Sequence, residues 1–328
     1  MHHDRHYSKD TNNESMNILW DAHCCPSFQS ESMSFLTQYK KANFDFVSIN
    51  IGFGPIPHDQ MLLHINRFRQ YIDNNKQNYD IALSANDIFK AKRENKLAIA
   101  FDIEGVDFLG NDVELLDLYH SVGVRQIAIV YNKNNLAGGG CQDNDNGLTG
   151  YGKKVIKKMN QLGIVVDCSH AGHKTTMDII KCTEKPVVFS HSNSFFIHNH
   201  KRNILDDQIK SCADVGGVIG INGISIFLGN DKDKIEQFAN HIDYIVQKIG
   251  PQHVGLGLDY TVDPNEAYQF TKSYPDYFPQ QTQYKEVTFI HPKEIMEIKQ
   301  ALINLSYSDD DITGILGGNF LRIAKDVW

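Results

Sequence analysis

No stretch of this 328-residue chain approaches the roughly 20 consecutive apolar residues that a membrane-spanning helix needs. The opening segment MHHDRHYSKDTNNESM is polar throughout and lacks the apolar core of a secretory signal. The expectation is a cytoplasmic protein with no membrane partner. Basic residues are also short in supply, 32 against 40 acidic ones, and the net charge of -8 argues against a surface that neutralises phosphates. Nucleic acid is therefore not an expected partner. The densest basic run, KKVIKK at 153–158, reads as the solvated face of a helix. The six cysteines form no C-x-x-C pair and no dense framework, so reduced thiols are expected, and a disulfide between the neighbours Cys24 and Cys25 would close a strained ring. No G-x-G-x-x-G or P-loop stands at a strand end, which removes the usual nucleotide-binding signatures. No Pro/Ser-rich linker divides the chain.

What the sequence does contain is a repeat of short β-rich segments. They are ILWDAH (18–23), FVSINIG (46–52), LAIAFDIEG (97–105), RQIAIVYN (125–132), IVVDCSH (164–170), VVFSHS (187–192), GVIGING (217–223) and HVGLGLDY (253–260). Most are nearly continuous in Val, Ile, Leu and Ala, as strands covered on both faces of a parallel sheet are. Amphipathic stretches lie between them, among them 59–72, 112–122, 150–162 and 233–249. Eight strand-then-helix repeats predict an α/β fold, a (β/α)8 TIM barrel, rather than an open doubly wound sheet. The predicted organisation is a disordered tail over 1–16 and a single barrel domain over 17–328 that ends in extra helices (292–327). His2, His3 and His6 fall in that tail, which offers no preorganised geometry for a metal. The connection 261–291 is unusually long and rich in aromatics, which marks a lid or an interface.

In such barrels chemistry sits where the strands end at their C-terminal side. The first predicted strand ends in His23 and Cys25, the third in Glu104, the fourth in Tyr131, the fifth in His170, the sixth in His191 and the eighth in Asp259. Histidines after three separate strands, with carboxylates after two more, point to a metal centre. Alternate residues of an extended segment share a face, which directs His23 and Cys25 one way and Cys24 the other. A thiolate at Cys25 would suit zinc better than magnesium or manganese. Whether Cys25 ligates or merely lines the pocket stays open at this point. His120, His173, His241 and His291 fall in helical or loop contexts and are left out of the site.

These motifs resemble those of the renal (membrane) dipeptidase family, zinc metallopeptidases of the amidohydrolase superfamily. The likeness runs from DAH at 21 through DIEGVD, NGLTGYGKKVIKKMNQLGIVVDCSH, VVFSHSNS, HKRNILDDQI and HVGLGLDY to LGGNFLRIA at 316–324. The resemblance implies two zinc ions, with one possible, bridged by Glu104, one on His23 and Cys25 and the other on His170 and His191. It implies Asp259 as the proton shuttle and Arg202 as the residue that grips a substrate carboxylate, a task suited to a guanidinium fork. It implies a dipeptide or dipeptide-like substrate, and homodimers are common in the family. Two departures stand out. The family carries His-x-Asp on the first strand where this chain has His23-x-Cys25, and a His-Asn pair that orients the scissile carbonyl where this chain has Tyr131 and Asn132. The chemistry so implied is amide hydrolysis by a metal-activated hydroxide, the pKa of water falling from about 15.7 toward ~7. Asp259 would move the proton and Tyr131 would donate to the oxyanion. Two other readings are a single-zinc amidohydrolase for another small amide or lactam, and an inactive barrel that binds peptide or metabolite.

Overall fold

A computed structural model of the chain describes residues 17–26, 33–229 and 233–328. The tail expected to be disordered, with His2, His3 and His6, lies outside them. All eight expected strands form: β1 (Trp20–Cys24), β2 (Phe46–Phe53), β4 (Leu97–Glu104), β5 (Val124–Ala128), β6 (Val165–Asp167), β7 (Val187–Phe189), β8 (Val218–Asn222) and β9 (Val254–Gly257). A ninth, β3 (Tyr79–Ile81), pairs with β4 beside the main path. Three residues without an apolar run leave no periodic signal, so the sequence did not reveal it.

The strands run β1-β2-β4-β5-β6-β7-β8-β9, all pairs parallel. Closure between the last strand and the first comes from Asp259 N–H donating to the His23 carbonyl at 2.9 Å and Cys25 N–H donating to that of Tyr260 at 3.2 Å. Asp21 adds a side-chain clasp, its Oδ1 accepting from Leu258 N–H at 2.8 Å and its Oδ2 from the Tyr39 hydroxyl at 2.6 Å. Burial lifts the Asp21 carboxyl to a pKa of about 7. The result is a (β/α)8 barrel.

The four expected helices appear as His58–Asn74, Leu115–Ser121, Gly150–Leu162 and Lys234–Ile249. Gly150–Leu162 shows why the sequence makes one there. The Thr149 hydroxyl accepts from Gly152 N–H at 3.0 Å, Gly163 ends the helix at φ 78, and Val155, Ile156 and Met159 turn inward. Lys153, Lys154 and Lys157 are exposed, the solvated face expected of the basic run. Among the described residues no helix is long and apolar enough to cross a membrane.

Side chains alternate along the strands, and that alternation separates two environments. Val47, Ile49 and Ile51 of β2 and Ile99, Phe101 and Ile103 of β4 join the apolar cluster shared with the helices. Their neighbours Ser48, Asn50, Asp102 and Glu104 are buried polar groups on the opposite face, inside the barrel. At the other end of the barrel, Trp20 and Phe46 stack at 3.7 Å and pack with Phe320, Leu321, Ile323 and Val327 of the helix Asn319–Val327. Gly317 permits that docking, since a Cβ there would stand 2.0 Å from the Ile18 carbonyl oxygen. The C-terminal helix thus covers the bottom of the barrel, opposite the mouth.

His241 is a core histidine, as its helical context suggested. Its Nδ1 accepts from Ser194 N–H at 3.1 Å and its Nε2–H donates to the Leu228 carbonyl at 3.2 Å. Burial lowers its pKa from 6.5 to about 4. The unfolded chain therefore takes up this proton first as pH falls. Stability contributed by the neutral ring is complete above pH 6.5 and is lost between 6.5 and 4. The loss amounts to roughly 3 kcal/mol at the lower end. Urea unfolding of wild type and His241→Gln across this window should show a shallower decline in the variant, and parallel curves would refute the assignment.

Candidate metal and substrate site

Three imidazoles and one carboxylate converge at the mouth. His170 Nε2 lies 2.8 Å and His191 Nε2 3.1 Å from Glu104 Oε1, and the two nitrogens are 2.9 Å apart. His23 Nε2 is 3.8 Å from the same oxygen and 3.6 Å from Asp259 Oδ1. The ligand atoms of His23, Glu104 and His191 all lie within 4.8 Å of one another.

Each ring is oriented from behind. His23 Nδ1 meets Asp102 Oδ1 at 3.0 Å. The Asp102 carboxylate is itself held by the Ser48 hydroxyl at 2.6 Å and by the Asn50 amide at 3.2 Å, and the same amide reaches Glu104 Oε2 at 3.2 Å. His191 Nδ1–H donates to Ser190 Oγ at 2.6 Å, and the Ser190 hydroxyl passes its proton toward Asp167 Oδ2. His170 Nδ1–H donates to Asn132 Oδ1 at 2.7 Å. With both Nδ1 atoms protonated, the Nε2 atoms of His170 and His191 carry lone pairs, and these face the Glu104 oxygen. His23 Nε2 and Glu104 Oε1 have no hydrogen-bond partner although both are buried. Lone pairs crowded in this way, each backed by a second hydrogen bond, suit a cation better than they suit one another.

Electrostatics make two of the rings ready donors, whereas His23 and Glu104 hold protons that a bound cation would displace. Burial and the nearby positive charges of Arg202 and His23 hold His170 and His191 well below the usual imidazole range, so both are neutral donors at pH 7. Burial also opposes a charged His23, but Asp102, Glu104 and Asp259 outweigh it and raise its pKa well above normal. Burial lifts Glu104 to about 8. Imidazole nitrogens with a carboxylate oxygen form a donor set that fits a zinc-like divalent ion.

The backbone turns sharply to present these groups. Asn132, His170 and Asp259 adopt left-handed conformations, φ 57, 66 and 52, in the loops that follow β5, β6 and β9. Each such residue costs on the order of 1 kcal/mol and is typical of a site held in a set geometry. At the floor of the mouth, Gly220 and Gly257 flank the Ser190 carbonyl so closely that an added Cβ would stand 2.1 and 1.7 Å from its oxygen. Their absent side chains keep Ser190 in place behind His191.

The cluster opens into a cavity of about 320 Å³ whose lining includes Cys25, Glu104, Tyr131, Asn132, His170, Arg202 and Asp259. All the residues expected from strand ends therefore meet there or in the cluster beneath it. Cys25 lines the cavity but lies outside the compact three-residue set, while Cys24 is buried in the core between strand and helix. Asp259 Oδ2 accepts from Asn222 Nδ2 at 2.9 Å. Arg202 lines the cavity, donates to the His191 carbonyl at 3.1 Å and lies over the Phe227 ring. Tyr131 packs on His170 with ring centres 4.3 Å apart. Asn132 is engaged at both ends of its amide, since Nδ2 donates to the Tyr277 carbonyl at 3.0 Å. The segment 261–291 supplies a wall of the cavity through Phe270, Tyr274, Phe278 and Tyr284.

Sequence reasoning missed Asp102, Asn50, Ser190, Asp167 and Asn222, which hold His23, Glu104, His191 and Asp259 in place without reaching the mouth. Asp102 alone carried a signal: it stands two residues before Glu104 in a strand and so shares its inward face.

Solved structures share this parallel β/α barrel. An amidohydrolase from Pseudomonas aeruginosa superposes with a TM-score of 0.87 at 24% identity over 95% of this chain and 97% of that one. A metallopeptidase from Rhodobacter sphaeroides, solved with a phosphinate mimic of the dipeptide L-Ala-D-Ala, gives 0.78 at 18% identity over 95% and 99%. The sequence pattern of the membrane dipeptidase family, peptidase family M19, matches residues 57–328, and the chain belongs to that family. An uncharacterised dipeptidase of Schizosaccharomyces pombe is 33% identical over 254 residues, 74% of this chain and 56% of the relative. Dipeptidase tcpJ of Claviceps purpurea is 26% identical over 76% and 55%. The chain thus spans little more than half the length of these curated relatives.

Proposed function

We propose that the protein is a zinc-dependent dipeptidase that hydrolyses the amide bond of dipeptides or dipeptide-like substrates at the barrel mouth. The observation that carries this reading is the convergence of His23, His170 and His191 on one Glu104 oxygen, beside Asp259 and Arg202 in one cavity. Family membership and the dipeptidase names of the relatives support it. The four ligands would hold the metal, with Cys25 as an additional thiolate. A bound zinc supplies Lewis acidity and a water of lowered pKa.

The chain's own groups then divide the remaining work. Arg202 binds the free carboxylate by paired N–H donors and so restricts the site to very short peptides. Asp259, steadied by Asn222, accepts a proton at Oδ1 and returns it to the leaving amine. Tyr131, which burial keeps protonated, offers an O–H to the developing oxyanion. Six unpaired thiols fit a reducing, cytoplasmic setting.

The single-zinc reading draws on the position of Cys25 outside the compact set, a set that omits His170 as well. Elemental analysis of purified protein, combined with assays on L,L- and L,D-dipeptides, decides between them. Two zinc ions with turnover are expected, and Cys25→Ala should then reduce the count toward one. An unchanged count in that variant removes the thiolate from the ligand set, and absence of both metal and turnover ends the proposal.

A further inference from the structure

A connected series of aromatic rings runs up one side of the mouth. Phe53, the last residue of β2, lies 4.9 Å from Tyr131, 4.6 Å from Phe270 and 5.3 Å from Tyr274 between ring centres. Phe278 continues the contacts at 5.8 Å from Phe270 and 5.5 Å from Tyr284. These separations are those of favourable ring pairs. Because Tyr131 also packs on His170, the series begins at a ligand of the metal cluster and climbs outward on the side of β2 and β5. Arg202 follows β7, and its own ring neighbour, Phe227, follows β8. With strands ordered β1-β2-β4-β5-β6-β7-β8-β9 and closed on themselves, β7 stands across the barrel from β2.

A dipeptide has its carboxylate at one end and its N-terminal side chain on the far side of the scissile amide. If Arg202 holds the carboxylate and the cluster lies under the amide, the N-terminal side chain is directed to the β2–β5 side. Phe270 and Tyr274 are only half-buried there, so a ligand can cover what water now wets. Aspartates and glutamates of the site are gathered at its floor rather than on this wall, apart from Glu266 on the loop helix.

We infer that the site selects dipeptides whose N-terminal residue carries a large apolar side chain, aromatic ones above all. This rests on the dipeptidase reading. Moving a benzyl group from water onto such a wall favours the transition-state complex on the order of 10- to 100-fold.

Phe-Ala and Ala-Phe have the same composition and differ only in which residue meets the aromatic wall. kcat/KM should be on the order of 10- to 100-fold higher for Phe-Ala. Phe270→Ala and Tyr274→Ala should each pull that ratio toward one. Equal constants, or a preference for Ala-Phe, overturn the inference. If neither peptide is cleaved, the dipeptidase reading fails, and thermal shift with the same two peptides then decides the inference separately. A larger rise in Tm with Phe-Ala supports it, and equal shifts overturn it.

Discussion

Asp259→Asn should lower kcat by about 10²- to 10⁴-fold, the range of a positioned proton-transfer group, and leave bound metal unchanged. The asymmetry follows from where the two carboxylates sit. Glu104 is surrounded by imidazole nitrogens, whereas Asp259 Oδ1 is 3.6 Å from His23 Nε2 and its Oδ2 is fixed by Asn222. An amide at 259 keeps the shape and the Asn222 contact through its oxygen, but it can no longer accept and release a proton at pH 7. Steady-state kinetics with metal quantification on the same preparation reads both quantities. Loss of metal in step with activity would make Asp259 a ligand instead of a shuttle.

The second large effect concerns Asn132, whose amide ties His170 to the aromatic segment. Its oxygen orients His170 and its nitrogen holds the Tyr277 carbonyl, 145 positions away in sequence. Asn132→Asp preserves the acceptor for His170 but sets a carboxylate against a carbonyl, so the segment around Tyr277 should loosen while metal affinity holds. Asn132→Ala removes both contacts. Metal affinity should then fall about 10- to 100-fold, as for other residues that orient a ligand from behind. Competition with a chelator measures the first effect and hydrogen exchange over 270–284 the second. Equal metal affinity in all three proteins would show that His170 needs no such support.

The barrel was legible because strands covered on both sides must be apolar, and eight such runs alternate with helical spacing. The mouth was legible for a related reason: a histidine or acid directly after an apolar run stands out against its surroundings. His170, His191 and Asp259 fall two or three residues beyond their strands, and at His170 and Asp259 a left-handed turn brings the side chain back over the barrel. Groups embedded within the weave were harder to find. Asp167 and Ser190 act through a hydrogen-bond relay that depends on two strands meeting in register, which no local pattern encodes. The partners of Asn132 were invisible for a similar reason, since one of them lies on a segment that reaches the mouth only after the barrel has closed. Cys25 stands between these cases. Alternation separates it from Cys24, but the distance of its sulfur from the other donors depends on the irregular pairing at the end of β1.

The helix that plugs the lower end of the barrel has a consequence for how such a molecule diversifies. Trp20, Phe46 and Phe320 keep the scaffold shut from below without touching a single reacting group. Loops on the upper rim can therefore be lengthened, exchanged or given new side chains while the foundation stays intact, which lets one architecture acquire a new clientele of small molecules by successive local edits.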